Sequence, residues 1–192
     1  LLMAAALGVS FAAVADEGQW QPHQLAELQA ELSAKGIEIP GKQLADLSQY
    51  PMSAIVSLGY CSASFVSPSG LVVTNHHCGY NAIQNNSTKD NNLIEKGFLA
   101  KSQGEELPAG AQERLYITES VTDVTAQVSG NLPAELTGSE RYEAIETNRK
   151  ALIKSCESDA NYRCSVVSFH HGMQYFQIKP LMLQDVRLVS AR

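Results

Sequence analysis

Several things are scarce in this sequence of 192 residues, and each scarcity removes a class of function. Positive charge is sparse and scattered: 14 Lys+Arg stand against 20 Asp+Glu, for a net charge of −6. Binding nucleic acid without regard to sequence needs a basic cluster that displaces phosphate counterions, and none is present. No apolar run is long enough to cross a bilayer. No C-x-x-C pair occurs, and the cysteine and histidine spacings fit no common zinc module. Internal repeats, low-complexity tracts and evident linkers are likewise missing. With 44% hydrophobic and 18% charged residues, what remains is the composition of a globular chain able to bury a core.

The first residues carry an address. Leu1 to Ala15 holds no charge and closes with Ala13-Val14-Ala15 before Asp16-Glu17-Gly18. An apolar run ended by small residues in the A-x-A pattern reads as a secretory signal peptide, here residues 1–15, with cleavage after Ala15. The missing initiator Met and basic leader imply that the sequence starts slightly late, and residues 16–192 form the mature part. Export puts Cys61, Cys78, Cys156 and Cys164 in an oxidising compartment where disulfides persist. Four cysteines allow three connectivities, and the sequence-local one joins Cys61 to Cys78 and Cys156 to Cys164.

The element pattern is β-rich. Leu25, Leu28 and Leu32 predict a helix over Gln24 to Ala34, stopped by Gly36. Met52 to Leu58 alternates as a strand. Ser62 to Val66 and Leu71 to Thr74, joined by Ser67-Pro68-Ser69-Gly70, form a hairpin whose turn residues suit it. Cys61 and Cys78 flank that hairpin, so a bridge would pin its open end. Asn81 to Asn92 reads as a surface loop with a short helix at its end, and its two overlapping glycosylation sequons as chance. Leu115 to Val128 is strand-like with a break near Thr122-Asp123. Ser139 to Ser155 is an amphipathic helix capped by Ser139, with Tyr142, Ile145, Leu152 and Ile153 on its apolar side. Ser165 to Phe169, Tyr175 to Ile178 and Asp185 to Val189 complete the strands. The sum is a mainly β fold, a barrel with peripheral helices. The sequence stops at Val189-Ser190-Ala191-Arg192 without a turn or polar tail, as a continuing strand would.

One segment carries chemistry. Leu71-Val72-Val73-Thr74-Asn75-His76-His77-Cys78 brings a histidine to the end of a strand, directly before a cysteine with a bridging partner. A serine hydrolase needs an imidazole so fixed, held beside the nucleophile. The segment resembles Val-Thr-Ala-Ala-His-Cys of chymotrypsin-like peptidases, with Asn75-His76 in place of the two alanines and Cys61 as the partner. That alignment selects His77 as the base. If the strand continues, His76 and His77 face opposite sides, so one alone reaches a cleft and the pair cannot share a metal ion. His170-His171 reads as a polar surface pair.

The resemblance extends further. Asp16 to Trp20, Cys61 to Tyr80, Ala82-Ile83-Gln84, Asn92 to Phe98, Glu105-Glu106-Leu107-Pro108 and Asp185 to Val189 together resemble the bacterial dipeptidyl-peptidase 7 and dipeptidyl-peptidase 11 family. The resemblance implies a chymotrypsin-like double β-barrel, of which this chain supplies the N-terminal barrel portion. It implies a periplasmic or cell-surface serine exopeptidase that releases dipeptides from the free N-terminus of oligopeptides and works as a homodimer, with no cofactor and no metal. His77 takes the place of the catalytic histidine. The family's aspartate and serine have no counterpart here: no Gly-x-Ser-x-Gly or Gly-Asp-Ser-Gly motif occurs. Ser64 and Ser67 read as strand and turn serines, and Asp123, Asp159 and Asp185 as surface acids. The expectation is an N-terminal fragment, inactive alone. A chymotrypsin-like endopeptidase, or a secreted binding module on a degenerate peptidase barrel, are the alternative readings.

Overall fold

A computed structural model describes residues 20–191; the expected signal peptide, residues 1–15, lies outside the described residues. The centre is a six-stranded antiparallel sheet in the order β3-β2-β1-β6-β8-β7. Its strands are β1 (Ile55–Ser57), β2 (Ser62–Phe65), β3 (Val72–Thr74), β6 (Leu115–Asp123), β7 (Ser165–Phe169) and β8 (Gln174–Leu183). Two small antiparallel pairs flank it: β4 (Phe98–Leu99) with β10 (Ser190–Ala191), and β5 (Leu107–Pro108) with β9 (Arg187–Leu188). The helices are peripheral: α1 (Gln29–Ala34), α2 (Gly41–Ala45), α3 (His76–Asn85), α4 (Leu93–Lys96) and α5 (Gly138–Cys156). The fold is mainly β, as the sequence pattern implied. Among the described residues no helix is long and apolar enough to cross a membrane.

The hairpin next to the site follows from its residues. Gly70 sits at φ +87°, open to an L-residue only with strain, and the turn closes with Val66 N–H donating to Leu71 C=O at 2.9 Å. The register sets Ile55, Ser64 and Val73 opposite one another, and Val56, Ala63 and Thr74 likewise. Side chains alternate, so Val56 and Ala63 are buried with Leu115 while Ile55 and Val73 are exposed. Leu58, Phe65, Val72, Ile117 and Val186 close around that core.

A second core lies under α5, where Val124, Val128, Val166 and Tyr175 are buried against Ile145, Leu152 and Ile153. Tyr142 is 64% exposed and takes no part in this face, and the N-cap position is held by Thr137, without a side-chain capping bond, rather than by Ser139. A third core joins α3 and α4 to the small pairs through Ile83, Leu93, Leu188 and Ala191.

Several predicted elements differ in extent. Within Leu115 to Val128 the strand ends at Asp123 and a π-helical turn, Ala126–Gly130, follows; residues 81–85 of the expected loop belong to α3; and only Arg187–Leu188 of Asp185 to Val189 is strand. The helix expected over Gln24 to Ala34 is split into a 3-10 turn, Pro22–Ala26, and α1. Only β1 within Met52 to Leu58 is strand; Met52–Ala54 is a 3-10 turn. The stretch expected to end near Ile178 runs on as β8 to Leu183, through Pro180. Proline cannot donate to the ladder, and the facing strand shifts register between Thr118 and Ser120, opposite Pro180 and Lys179.

Candidate functional site

The strand that leads to the histidines ends earlier than expected. β3 stops at Thr74, Asn75 is the N-cap, and His76 and His77 open helix α3. The strand argument for opposite faces therefore does not apply. On a helix, neighbours diverge by about 100° around the axis, so the two rings still separate. His76 packs edge-on to Tyr80, ring centroids 6.3 Å apart, on the exposed side. His77 is also exposed, and its Nε2 lies 3.9 Å from Cys61 Sγ. The helix forms because Cys78, Ala82 and Ile83 supply a buried stripe one turn apart.

Three ties hold this turn. Cys78 is bridged to Cys61, with Cα atoms 6.1 Å apart, and is itself buried. Thr74 Oγ1 donates to the Ser62 carbonyl at 2.8 Å, fixing the end of β3 to β2. The Tyr60 hydroxyl lies 3.1 Å from the Cys78 carbonyl and 2.9 Å from Glu113 Oε2. Tyr60 and Glu113 belong to no sequence motif; the signal for Tyr60 is Gly59-Tyr60 between two strands, the composition of a tight hairpin loop.

The ligand atoms of Cys61, His77 and Cys78 lie within 4.8 Å of one another. With the two sulfurs bonded to each other they carry no thiolate charge, so the trio does not have the donor set of a zinc site. The second bridge joins Cys156 to Cys164 at the far end of α5.

The other polar residues weighed for the site are taken up locally. Ser64 Oγ donates to the Phe65 carbonyl at 3.3 Å, and Ser67 Oγ accepts from Leu71 N–H at 3.0 Å. Asp123 accepts from Thr125 N–H at 2.8 Å, and hydrogen bonds from the Thr125 side chain and backbone hold its pKa below the usual value. Asp159 accepts from Asn161 N–H at 2.9 Å. Asp185 accepts from Arg187 Nε at 3.0 Å and Nη2 at 2.7 Å, and this pairing lowers its pKa. His170 and His171, at φ 49° and 56°, form the exposed tip between β7 and β8, apart from α3. The described residues therefore bring to His77 neither a carboxylate nor a hydroxyl nucleophile, only the bridge sulfur.

The chain is similar to known proteins over nearly its whole length. An Asp/Glu-specific dipeptidyl-peptidase of Shewanella putrefaciens is 58% identical over 191 residues, which is 99% of this chain and 26% of that protein. Dipeptidyl-peptidase 7 of Porphyromonas gingivalis is 33% identical, over 100% of this chain and 27% of its own length. Among solved structures, Porphyromonas endodontalis DPP11 in complex with the dipeptide Arg-Glu superposes with a TM-score of 0.78 at 28% identity, covering 92% of this chain and 26% of that one. The chain thus spans about a quarter of the length of these relatives. The Peptidase S46 family matches across residues 15–191, and the chain belongs to that family.

Proposed function

We propose that this chain is the N-terminal part of an exported serine-type dipeptidyl peptidase, with His77 as the general base of a Ser-His-Asp triad whose Asp and Ser lie beyond Arg192. One observation carries the reading: an exposed imidazole sits at the junction of β3 and α3, next to a cysteine bridged to the neighbouring strand. A base must hold its position while staying open to a nucleophile from elsewhere, and this junction provides both. Residues 1–15 act as the signal peptide and residues 16–192 begin the mature peptidase, in the periplasm or at the cell surface. The full-length protein works as a homodimer.

In that protein His77 removes the serine proton as the hydroxyl attacks the peptide carbonyl, then delivers it to the leaving amine. The Nε2 that here faces Cys61 Sγ turns about the side-chain torsions to meet the serine, while Nδ1–H is held by the aspartate. The site lies on the open side of α3, where the rest of the protein must approach. The 58% identical relative is named Asp/Glu-specific, and we extend an acidic preference to this protein.

The test is hydrolysis by the full-length protein of chromogenic dipeptides carrying Asp or Glu, each as the free amine and as the N-blocked form. Cleavage of the free amine alone supports the exopeptidase reading. Equal cleavage of both forms supports an endopeptidase, and no cleavage with no labelling by a fluorophosphonate supports a non-catalytic module.

A further inference from the structure

β1 and β2 meet in a loop with little freedom. Leu58 N–H donates to Cys61 C=O at 2.8 Å, which leaves Gly59-Tyr60 as a two-residue connection. Gly59 has φ +87° at the first central position, where hairpins of type II′ take glycine. Its N–H also donates to Ser57 Oγ at 2.9 Å. The backbone that presents Tyr60 is thus fixed on both sides, and the phenol has only two torsions left.

That phenol reaches across to the turn holding His77. Its single hydrogen faces two acceptors, the Cys78 carbonyl at 3.1 Å and Glu113 Oε2 at 2.9 Å. The two acceptors share the one hydrogen, as in a three-centre bond, and the carboxylate orients the hydroxyl between them. Desolvation, then the bond to Glu113, raises the Tyr60 pKa, so the group stays a neutral donor at neutral pH. Cys78 follows His77 and Cys61 follows Tyr60, so the hydrogen bond and the disulfide clamp the same turn from adjoining residues.

We infer that Tyr60, oriented by Glu113, is a positioning residue for His77, fixing the first turn of α3 on the β1–β2 hairpin so that the imidazole keeps one place during turnover. This rests on the reading of His77 as the base. Neither residue touches substrate in this account; each acts through the backbone on which the base sits.

The test uses the full-length protein with a free-amine chromogenic dipeptide, and counts active sites by fluorophosphonate titration. Y60F should lower kcat per titrated site about five- to tenfold, the scale of one lost hydrogen bond and a slightly misplaced base. KM should stay at the wild-type value. E113A should lower kcat in the same way, and E113Q, whose amide oxygen still accepts from the phenol, should recover most of that loss. A merely structural tie would change the melting temperature and the number of titrated sites but leave turnover per site alone. Wild-type kcat per site in both Y60F and E113A would overturn the inference. H77A in parallel separates the two failures: an active H77A removes the base assignment itself, whereas an inactive H77A beside a fully active Y60F removes only the positioning role.

Discussion

Nε2 of His77 lies 3.9 Å from Sγ of Cys61, so the imidazole rests against the bridge that ties α3 to the hairpin. The bridge is at once a neighbour of the ring and the covalent anchor of its helix. Its removal should therefore affect both stability and turnover.

The C61A/C78A variant opens a link of sequence separation 17, for which loop entropy gives about 3 kcal/mol. The urea midpoint of the full-length protein should fall accordingly, and turnover of the remaining folded protein should fall as well. Denaturant unfolding alongside active-site titration checks the two effects separately.

C156A/C164A opens a separation of only 8 residues, at the end of α5. The same relation gives roughly 2.5 kcal/mol, and turnover per site should be unchanged because the bridge sits at the end of α5 and α3 belongs to another core. A drop in turnover equal to that of the first bridge would show that α5 takes part in the site.

Val128 and Val166 are fully buried, at 0% and 2% exposure. Either V128A or V166A should cost about 1–3 kcal/mol by loss of buried methyl groups and the cavity left behind. Val166 also offers its carbonyl to Arg149, at 2.7 Å from Nη2, so R149A should cost stability through that helix-to-strand contact. Denaturant melts of the variants are the check.

Asp185 titrates below its ordinary value because Arg187 holds its charged form. A depressed carboxyl pKa contributes stability that is fully present above the unfolded-state value and is lost as pH falls through the folded one. D185N should thus be less stable than the wild type at neutral pH, and the difference should vanish in acid below the folded pKa. Asn also tolerates the φ of +57° at this position, so the comparison isolates the charge. Urea midpoints at the two pH values decide it.

Much of this was legible from the sequence, for identifiable reasons. The hairpin around Ser67-Pro68-Ser69-Gly70 and strand β7 were plain because turn chemistry and alternation agree there. Helix α3 was not: Gly79, Asn81 and Asn85 are weak helix formers, and only Cys78, Ala82 and Ile83 mark its buried side. Tertiary packing of that short stripe overrides propensity, so His77 opens a helix where the sequence pattern implies the end of a strand. Strand β8 runs past Ile178 through Pro180, and no local signal in the sequence announces the compensating shift in β6. The Tyr60–Glu113 contact spans 53 residues, beyond any periodic pattern. His77 is marked in the sequence by its neighbour Cys78, a relation that is the same on a helix as on a strand.

The most direct measurement is turnover of a free-amine Asp or Glu chromogenic dipeptide by full-length wild-type and H77A protein, each shown to be folded by its melting curve. The account predicts that H77A loses at least about a thousandfold in kcat, the scale of losing a triad member, while its melting temperature stays near that of the wild type. A folded H77A that releases dipeptides at the wild-type rate would contradict it.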